Sequence, residues 1–362
     1  MKRILLFTDI LGSGGAQRQL VILAALLKQT GYNVRLLDYW NDTFYDDYLV
    51  RHQIPFEHIH TKGKWRIIRM FTNKVRQFKP DVVISYMEHP SIVACIGKSL
   101  CLRKFKLIVS ERNTSQSITK SIRFRFFLFR YLADYVVSNS NTQYSFINKH
   151  FPNLSAKTLV IINVVDSETF SPSTTYPKQN DGIIKFLVVA RVVEQKNVLR
   201  FIEAVSLLKE NNQKFRVDWY GNSYPIPYFV RCKELINNYG LQDCFFFHAP
   251  TQEITSIYRS ADVFILPSIY EGFPNTLCEA MACGLPVIAS AVCDNPYIVS
   301  SSEYGILVNP LKKESIALAM ETLIGMSSKE RKQMGSAGRE HIITICSASK
   351  FVKSYIELIE KI

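Results

Sequence analysis

Two carboxylates, Glu271 and Glu279, stand eight residues apart in FILPSIYEGFPNTLCEAMACGLPVIAS, residues 264–290. The apolar run Val263 to Leu266 ends in Pro267 and Ser268, which predicts a buried strand entering a turn. Good helix formers run from Leu277 to Cys283, Gly284 stops them, and Leu285 to Ala289 predict a second buried strand. The carboxylates therefore flank a strand-to-helix turn. In an open parallel sheet, ligands bind at the carboxyl ends of strands, where helix N-termini attract anions. A carboxylate in such a first turn is either a dipole-matched surface group or an acceptor for a ligand's hydroxyls. Arg191 and Lys196 follow another predicted strand, 184–190. Read alone they are two surface cations; beside a helix N-terminus they make a clamp for a diphosphate.

Strand and helix signals alternate along the whole chain. Residues 3–8 predict a strand, Gly12-Ser13-Gly14-Gly15 a loop, and Ala16, Leu20, Leu23 and Leu27 one face of a helix. The loop lacks dinucleotide-fingerprint spacing; it is either a tight turn or backbone N–H groups open to a phosphate. Further strands are predicted at 34–37, 81–86, 106–110, 135–137 and 158–162, with helices at 92–102, 120–132 and 142–150. The Pro-, Ser- and Thr-rich stretch 171–182 breaks the pattern, after which the alternation restarts and ends in helices near 312–325, 329–345 and 348–361. This is an α/β chain with two Rossmann-like, doubly wound parallel-sheet domains facing a central cleft. The expected bounds are 1–165 for the first domain, 166–182 for a hinge, 183–345 for the second domain and 346–362 for a C-terminal helix. Packing back on the first domain is one arrangement open to that helix.

Composition narrows the partners. The chain has 362 residues, 47% of them hydrophobic, so two large cores are available. No apolar run reaches membrane-spanning length. Its eight cysteines form no CxxC pair, which predicts reduced, mostly buried thiols in a cytoplasmic protein. The net charge of +13 is one-sided: residues 1–165 carry 24 basic and 10 acidic side chains, and residues 62–130 alone carry 16 and 3. Such a field implies an anionic partner: a membrane surface, a nucleic acid or a phosphorylated substrate.

The joint pattern resembles a known family. Glu271 to Pro286, EGFPNTLCEAMACGLP, is similar to the E-x7-E element of retaining GT-B glycosyltransferases of the GT4 group. Gly14-Gly15-Ala16 resembles that family's first Gly-rich loop. Asn163-Val164-Val165-Asp166 with Phe170 and Pro172 is similar to its N-G-V-D…F-x-P hinge, with Val164 where Gly is usual. Ala190-Arg191 with Lys196-Asn197 is similar to its G-R-x4-K-[GN]. The resemblance spans essentially the whole chain.

It implies a donor site for a nucleotide sugar, UDP being the expected carrier. Glu279 would bind the ribose, and Glu271 the transferred sugar and its oxocarbenium-like transition state. Arg191 and Lys196 would neutralise the leaving diphosphate. Asn275, Thr276 and Leu277 would offer backbone N–H groups. Gly221, Asn222 and His248 would hold the base, and Gly15 would approach the phosphates. The chain contains no DxD, so no metal and no cofactor is expected; the two cations stand in for a divalent ion. The family's usual histidine after strand 106–110 is absent: the chain reads Ser110-Glu111-Arg112-Asn113, like relatives acting on polyprenyl-linked glycans and capsular polysaccharides. Glu111 then becomes a catalytic candidate, and Arg112 and His89 candidate acceptor contacts; a salt bridge between Glu111 and Arg112 is the structural alternative. Lys120, Arg123 and Arg130 share a helical face amid aromatics that include Phe127, which suits a membrane interface.

The leading reading is a retaining, metal-independent transferase moving a hexose or N-acetylhexosamine to a lipid-linked or polysaccharide acceptor in bacterial cell-surface glycan synthesis. It would lie in the cytoplasm at the inner face of the membrane. The alternatives are a GT-B phosphorylase or nucleotide-sugar epimerase and, from another class, a basic nucleic-acid-binding or non-catalytic interaction protein. No nucleic-acid recognition motif is present.

Overall fold

The computed structural model describes residues 1–40, 42–101, 104–173, 182–211 and 213–361. The chain divides into two compact units, Met1–Val164 with Ala348–Ile362, and Val165–Ser347. Each is an α/β unit built on one parallel sheet.

The first unit runs β1 (Arg3–Phe7), α1 (Gly15–Gln29), β2 (Asn33–Asp38), α2 (Asp46–Arg51), β3 (Phe56–His58), α3 (Lys64–Phe78), β4 (Val82–Tyr86), α4 (Glu88–Leu100), β5 (Lys106–Glu111), α5 (Lys120–Leu132), β6 (Tyr135–Ser138), α6 (Asn141–His150) and β7 (Thr158–Val160). Its sheet order is β3-β2-β1-β4-β5-β6-β7. The chain winds outward one way from β1 and the other way from β4, so the strand order reverses between those two. A crevice opens at such a reversal, outside the strands' carboxyl ends. Residues 38–80, unassigned by pattern alone, hold α2, β3 and α3. In α3 the buried Ile67, Ile68, Phe71 and Val75 keep helical spacing, but basic residues interleave with them.

The second unit runs β8 (Ile184–Val189), α7 (Val198–Glu210), β9 (Phe215–Tyr220), α8 (Ile226–Asn238), β10 (Phe245–His248), α9 (Ile254–Ser260), β11 (Val263–Leu266), α10 (Asn275–Ala282), β12 (Val287–Ser290), α11 (Asn295–Ile298), β13 (Gly305–Val308), α12 (Lys313–Gly325) and α13 (Ser328–Ile345). Its order, β10-β9-β8-β11-β12-β13, reverses between β8 and β11. The strands β11 and β12 are buried along their length. Such runs are what a sheet covered on both faces requires.

The last helix, α14 (Ala348–Glu360), returns to the first unit. Phe351, Tyr355, Leu358 and Ile359 join the core of Leu20, Leu23 and Leu27. The fully buried Tyr355 hydroxyl meets that of Tyr86 at 2.8 Å, so neither phenol is left unpaired in the core. Of the stretch read as a hinge, 174–181 lies outside the described residues. The part before it is held within the second unit: Arg259 Nε donates to Ser171 O at 2.7 Å, and Arg339 to Phe170 O at 3.1 Å. All eight cysteines are free thiols.

One side chain anchors α5. Lys157 Nζ donates to the carbonyls of Phe129, Arg130 and Ala133 at 2.6–2.9 Å. It thus satisfies acceptors that a helix C-terminus leaves open. Lys157→Met should therefore destabilise the first unit by about 2 kcal/mol, the scale of hydrogen bonds to a charged group. Thermal unfolding checks this: an unchanged melting temperature would remove the anchoring role.

Candidate functional site

In the second unit, the loops after β8 and β11 both open at the strand reversal. They are joined by their own backbone and side chains. Ile269 N–H donates to Gln195 O at 2.8 Å, and Gln195 Nε2 to Tyr270 O at 2.9 Å. Asn197 precedes α7 in the left-handed region at φ 60°, a conformation asparagine tolerates better than most residues. Its Nδ2 donates to Pro267 O at 3.1 Å and Pro310 O at 2.7 Å. The sequence marks Asn197 only as part of a motif; its bridging of three segments comes from tertiary packing.

This framework brings Lys196 and Glu271 together. Lys196 Nζ lies 2.5 Å from Glu271 Oε1, and both side chains are largely buried. An ion pair withdrawn from water is sustained only by good geometry, and losing one partner strands the other. Glu279, on the next helix, is also buried, and its Oε2 accepts from the Tyr258 hydroxyl at 3.1 Å. Asn275, Thr276 and Leu277 form the first turn of α10, and Pro274 before them supplies no capping oxygen. Arg191 is exposed and, among the described residues, has no ion-pair partner. Arg191, Lys196, Asn275, Thr276, Leu277, Glu271 and Glu279 thus lie on the segments that follow β8 and β11, neighbouring strands at the reversal. These segments offer two buried carboxylates, one paired cation, one exposed cation and a helix N-terminus.

Gly221 and Asn222 enter from the end of β9. Val192 N–H donates to Asn222 O at 2.8 Å, and Gly221 N–H to His248 O at 3.1 Å. A Cβ on Gly221 would stand 2.0 Å from Ala190 O. Gly221 is therefore a close-approach residue that lets β9 pack on the strand end carrying Arg191. The His248 side chain is engaged by its neighbours. Its Nε2 lies 2.6 Å from Asp218 Oδ1, and its ring stacks on Tyr220 with centroids 4.4 Å apart. Asp218 is also gripped by Arg216 through two 2.8 Å bonds. Burial raises the Asp218 carboxyl, but the bonds from Arg216 and His248 outweigh it and hold it below the usual range. The imidazole is committed along β9 and β10, leaving the His248 backbone at the strand end.

In the first unit, Ser13, Gly14 and Gly15 are exposed after β1, with Gly15 opening α1. His89 follows β4, across the reversal, and its Nδ1 meets the Tyr39 hydroxyl at 2.7 Å. Glu111, the catalytic candidate of the first unit, ends β5. It is 4% exposed, and its Oε2 accepts from Arg125 at 3.0 Å and from Gln143 at 3.4 Å. Burial pushes this carboxyl up to about 8, against the Gln143 bond. Its ion-pair partner is Arg125 on α5, not the adjacent Arg112, and Arg125 also pairs with Glu88. Arg112 instead stacks over the Tyr86 ring at 4.1 Å and donates to Ser110 Oγ at 3.4 Å. The physical reason is directional: consecutive strand residues point to opposite faces of the sheet.

On α5, Arg125, Phe126 and Phe129 are buried, whereas Lys120, Arg123, Phe127 and Arg130 are exposed. Phe124 and Tyr131 join the exposed set. No helix among the described residues is long and apolar enough to cross a membrane.

Two family models match the chain: "Glycosyl transferases group 1" over residues 176–341 and "Glycosyltransferase Family 4" over residues 13–169. The amylovoran biosynthesis glycosyltransferase AmsD of Erwinia amylovora is 24% identical over 344 residues, covering 93% of each chain. An Escherichia coli UDP-Gal:alpha-D-GlcNAc-diphosphoundecaprenol alpha-1,3-galactosyltransferase is 32% identical over 169 residues, covering 42% of this chain and 41% of that one. The chain spans about half, or less, of the length of several curated relatives it matches. Among solved structures, Anabaena HepE in complex with UDP and glucose superposes with a TM-score of 0.88 at 17% identity, covering 100% of both chains.

Proposed function

The chain belongs to the GT4-like glycosyltransferases of the GT-B fold, and from that premise we propose that it transfers a hexose or N-acetylhexosamine from a UDP-sugar, with retention and without a metal ion, to a lipid-linked or polysaccharide acceptor in bacterial surface-glycan synthesis. The observation that carries this reading is the buried Lys196–Glu271 pair at the strand reversal, with Glu279 on the following helix. A departing nucleoside diphosphate concentrates negative charge, and preorganised cations aimed at it lower the barrier most. Arg191, exposed and without an ion-pair partner among the described residues, meets the diphosphate first. Lys196 then exchanges part of its contact with Glu271 for a phosphate oxygen. That frees Glu271 to face the positive charge growing at the transferred carbon. Glu279 takes the ribose hydroxyls. Gly221, Asn222 and the His248 backbone border the base. Arg112 and His89 take the acceptor, while Glu111 acts as a positioning residue that holds the end of β5 through Arg125. The names of the galactosyltransferase and AmsD relatives support a polysaccharide or lipid-diphosphate acceptor.

The test is a thermal-shift screen against nucleotide sugars, since a ligand that binds only the native state raises its apparent stability. UDP-linked sugars should give the largest shift. Glu279→Ala should cut UDP affinity by about 10- to 100-fold, the scale of a lost charged hydrogen bond, and calorimetric titration reads it directly. A wild-type Kd in Glu279→Ala would remove the ribose assignment.

The second part of the reading is a peripheral, cytoplasmic association with the inner face of the cell membrane through α5. Its support is the exposure of Phe124, Phe127 and Tyr131 at 53–62% beside Lys120, Arg123 and Arg130. Exposed aromatics among cations suit an anionic lipid surface. Flotation with phosphatidylglycerol vesicles should show binding that weakens as salt rises and that Phe124→Ser/Phe127→Ser abolishes. No flotation at low salt would remove this part.

A further inference from the structure

The segment 38–47, DYWNDTFYDD, stands against its surroundings. It holds four aspartates, four aromatics and no lysine or arginine, in a half-chain whose 24 basic and 10 acidic residues leave it at +14. The chain enters it at the carboxyl end of β2, beside the β1–β4 reversal. Tyr39 is its fixed point. Fully buried, it meets the Trp40 ring edge-on at 5.6 Å and bonds His89 Nδ1 through its hydroxyl at 2.7 Å. The backbone N–H groups of Tyr39 and Trp40 both donate to Asp9 O, at 3.3 and 2.9 Å. These contacts hold together the loops after β2, β1 and β4. Asp42 is held as well: its Oδ1 accepts from Phe44 N–H at 3.0 Å, and its Oδ2 lies where a Cβ on Gly12 would approach to 2.7 Å. Gly12 therefore leaves room for a carboxylate over the Gly-rich loop.

Trp40, braced from behind, remains 47% exposed. A rigid indole face with one buried aromatic neighbour offers contact area at little entropic cost. What it would contact follows from the charges nearby. On α5 the exposed aromatics sit among cations; here Trp40 and Phe44 are neighbours in sequence of Asp42 and of the exposed Asp47, while Asp46 pairs with His58. Carboxylates repel anionic lipid and phosphate alike, and accept hydrogen bonds from hydroxyls. Aromatic face plus hydroxyl acceptors describes a neutral sugar ring.

We propose that Trp40 is a stacking platform for a neutral sugar ring of the acceptor, with Asp42 and His89 receiving its hydroxyls. The proposal rests on the first unit binding the acceptor and names the chemistry of what it holds. It also separates two uses of exposed aromatics in one unit, lipid at α5 and carbohydrate at β2.

Saturation-transfer NMR without nucleotide tests it, so the result does not depend on the donor assignment. The probes are N-acetylglucosamine, galactose, glucose and glucosamine, against wild type, Trp40→Ala, Asp42→Asn, Glu271→Ala and Trp65→Ala, the last removing an indole 76% exposed on α3. At least one neutral sugar should show transfer that weakens about tenfold in Trp40→Ala, the scale of losing an aromatic anchor. It should fall in Asp42→Asn and persist in Trp65→Ala. Transfer retained in Trp40→Ala, lost instead in Glu271→Ala, or absent for every neutral sugar would overturn the proposal. So would a strong preference for glucosamine, which would mark a cation site. Reduced vesicle flotation of Trp40→Ala would also overturn it, by assigning the indole to the membrane face.

Discussion

Glu271→Gln should lower turnover by about 100-fold or more, the scale of removing a group that stabilises transition-state charge, while donor affinity changes only a few-fold. The variant keeps the side chain's shape and one oxygen for Lys196, so the fold survives. It removes the negative charge that would face the forming oxocarbenium ion. In wild type that charge is held 2.5 Å from Lys196 in a largely buried pair, ready before the donor arrives. Lys196→Met should behave differently. It strands Glu271 without its cation and takes one positive charge from the diphosphate, so UDP affinity and turnover fall together. A loss in kcat alone marks an interaction made only in the transition state; a loss shared with binding marks one made in the ground state too. Initial rates with the donor found by thermal shift, beside UDP titration, separate the two. Wild-type kcat in Glu271→Gln would end the assignment of this residue to the reacting centre.

The contrast between Glu271 and Glu111 shows what the chain discloses locally and what it withholds. The surroundings of Glu271 are legible because each is written in short-range chemistry: an apolar run buried on both faces, a Pro-Ser turn, a helix stopped by Gly284 at φ +77°. The βα alternation repeats that grammar, so both sheets can be read from pattern. Glu111 has no such local determinant. Its partner Arg125 lies 14 residues away on α5, and only the docking of that helix decides that Arg125, rather than Arg112, faces it. The same limit hid residues 38–80. The basic side chains of α3 break up its apolar stripe to the eye, and β3 has only three residues. DYWNDTFYDD carried a readable signal in its charge, opposite in sign to the half around it. Pooling charge over the whole half concealed it.

Gly221→Ala is expected to be among the most damaging single-methyl changes in the second unit. Its backbone is not in the left-handed region, since no positive φ is recorded there, so the requirement for glycine is one of space. The added Cβ would lie 2.0 Å from Ala190 O, 2.6 Å from Ala190 C and 3.1 Å from Arg191 N. All three are backbone atoms and cannot rotate away as a side-chain tip would. Relief requires β9 to separate from β8 at its carboxyl end, where Ala190 N–H donates to Tyr220 O at 3.0 Å and Val192 N–H to Asn222 O at 2.8 Å. Forcing atoms into a packed contact costs about 1–3 kcal/mol and occasionally more, and backbone on both sides puts this position at the upper end. The strain falls on the residues that aim Arg191 and Lys196. The melting temperature of the second unit and the UDP affinity should therefore drop together, with Lys196 displaced from Glu271. The substitution adds one uncharged methyl at a residue that borders the base, so a loss of UDP binding that comes with a lowered melting temperature reports the displaced strand end. Calorimetry and UDP titration on the same sample read both, and an unaltered melting profile with wild-type UDP affinity would show that this close approach does not govern the donor site.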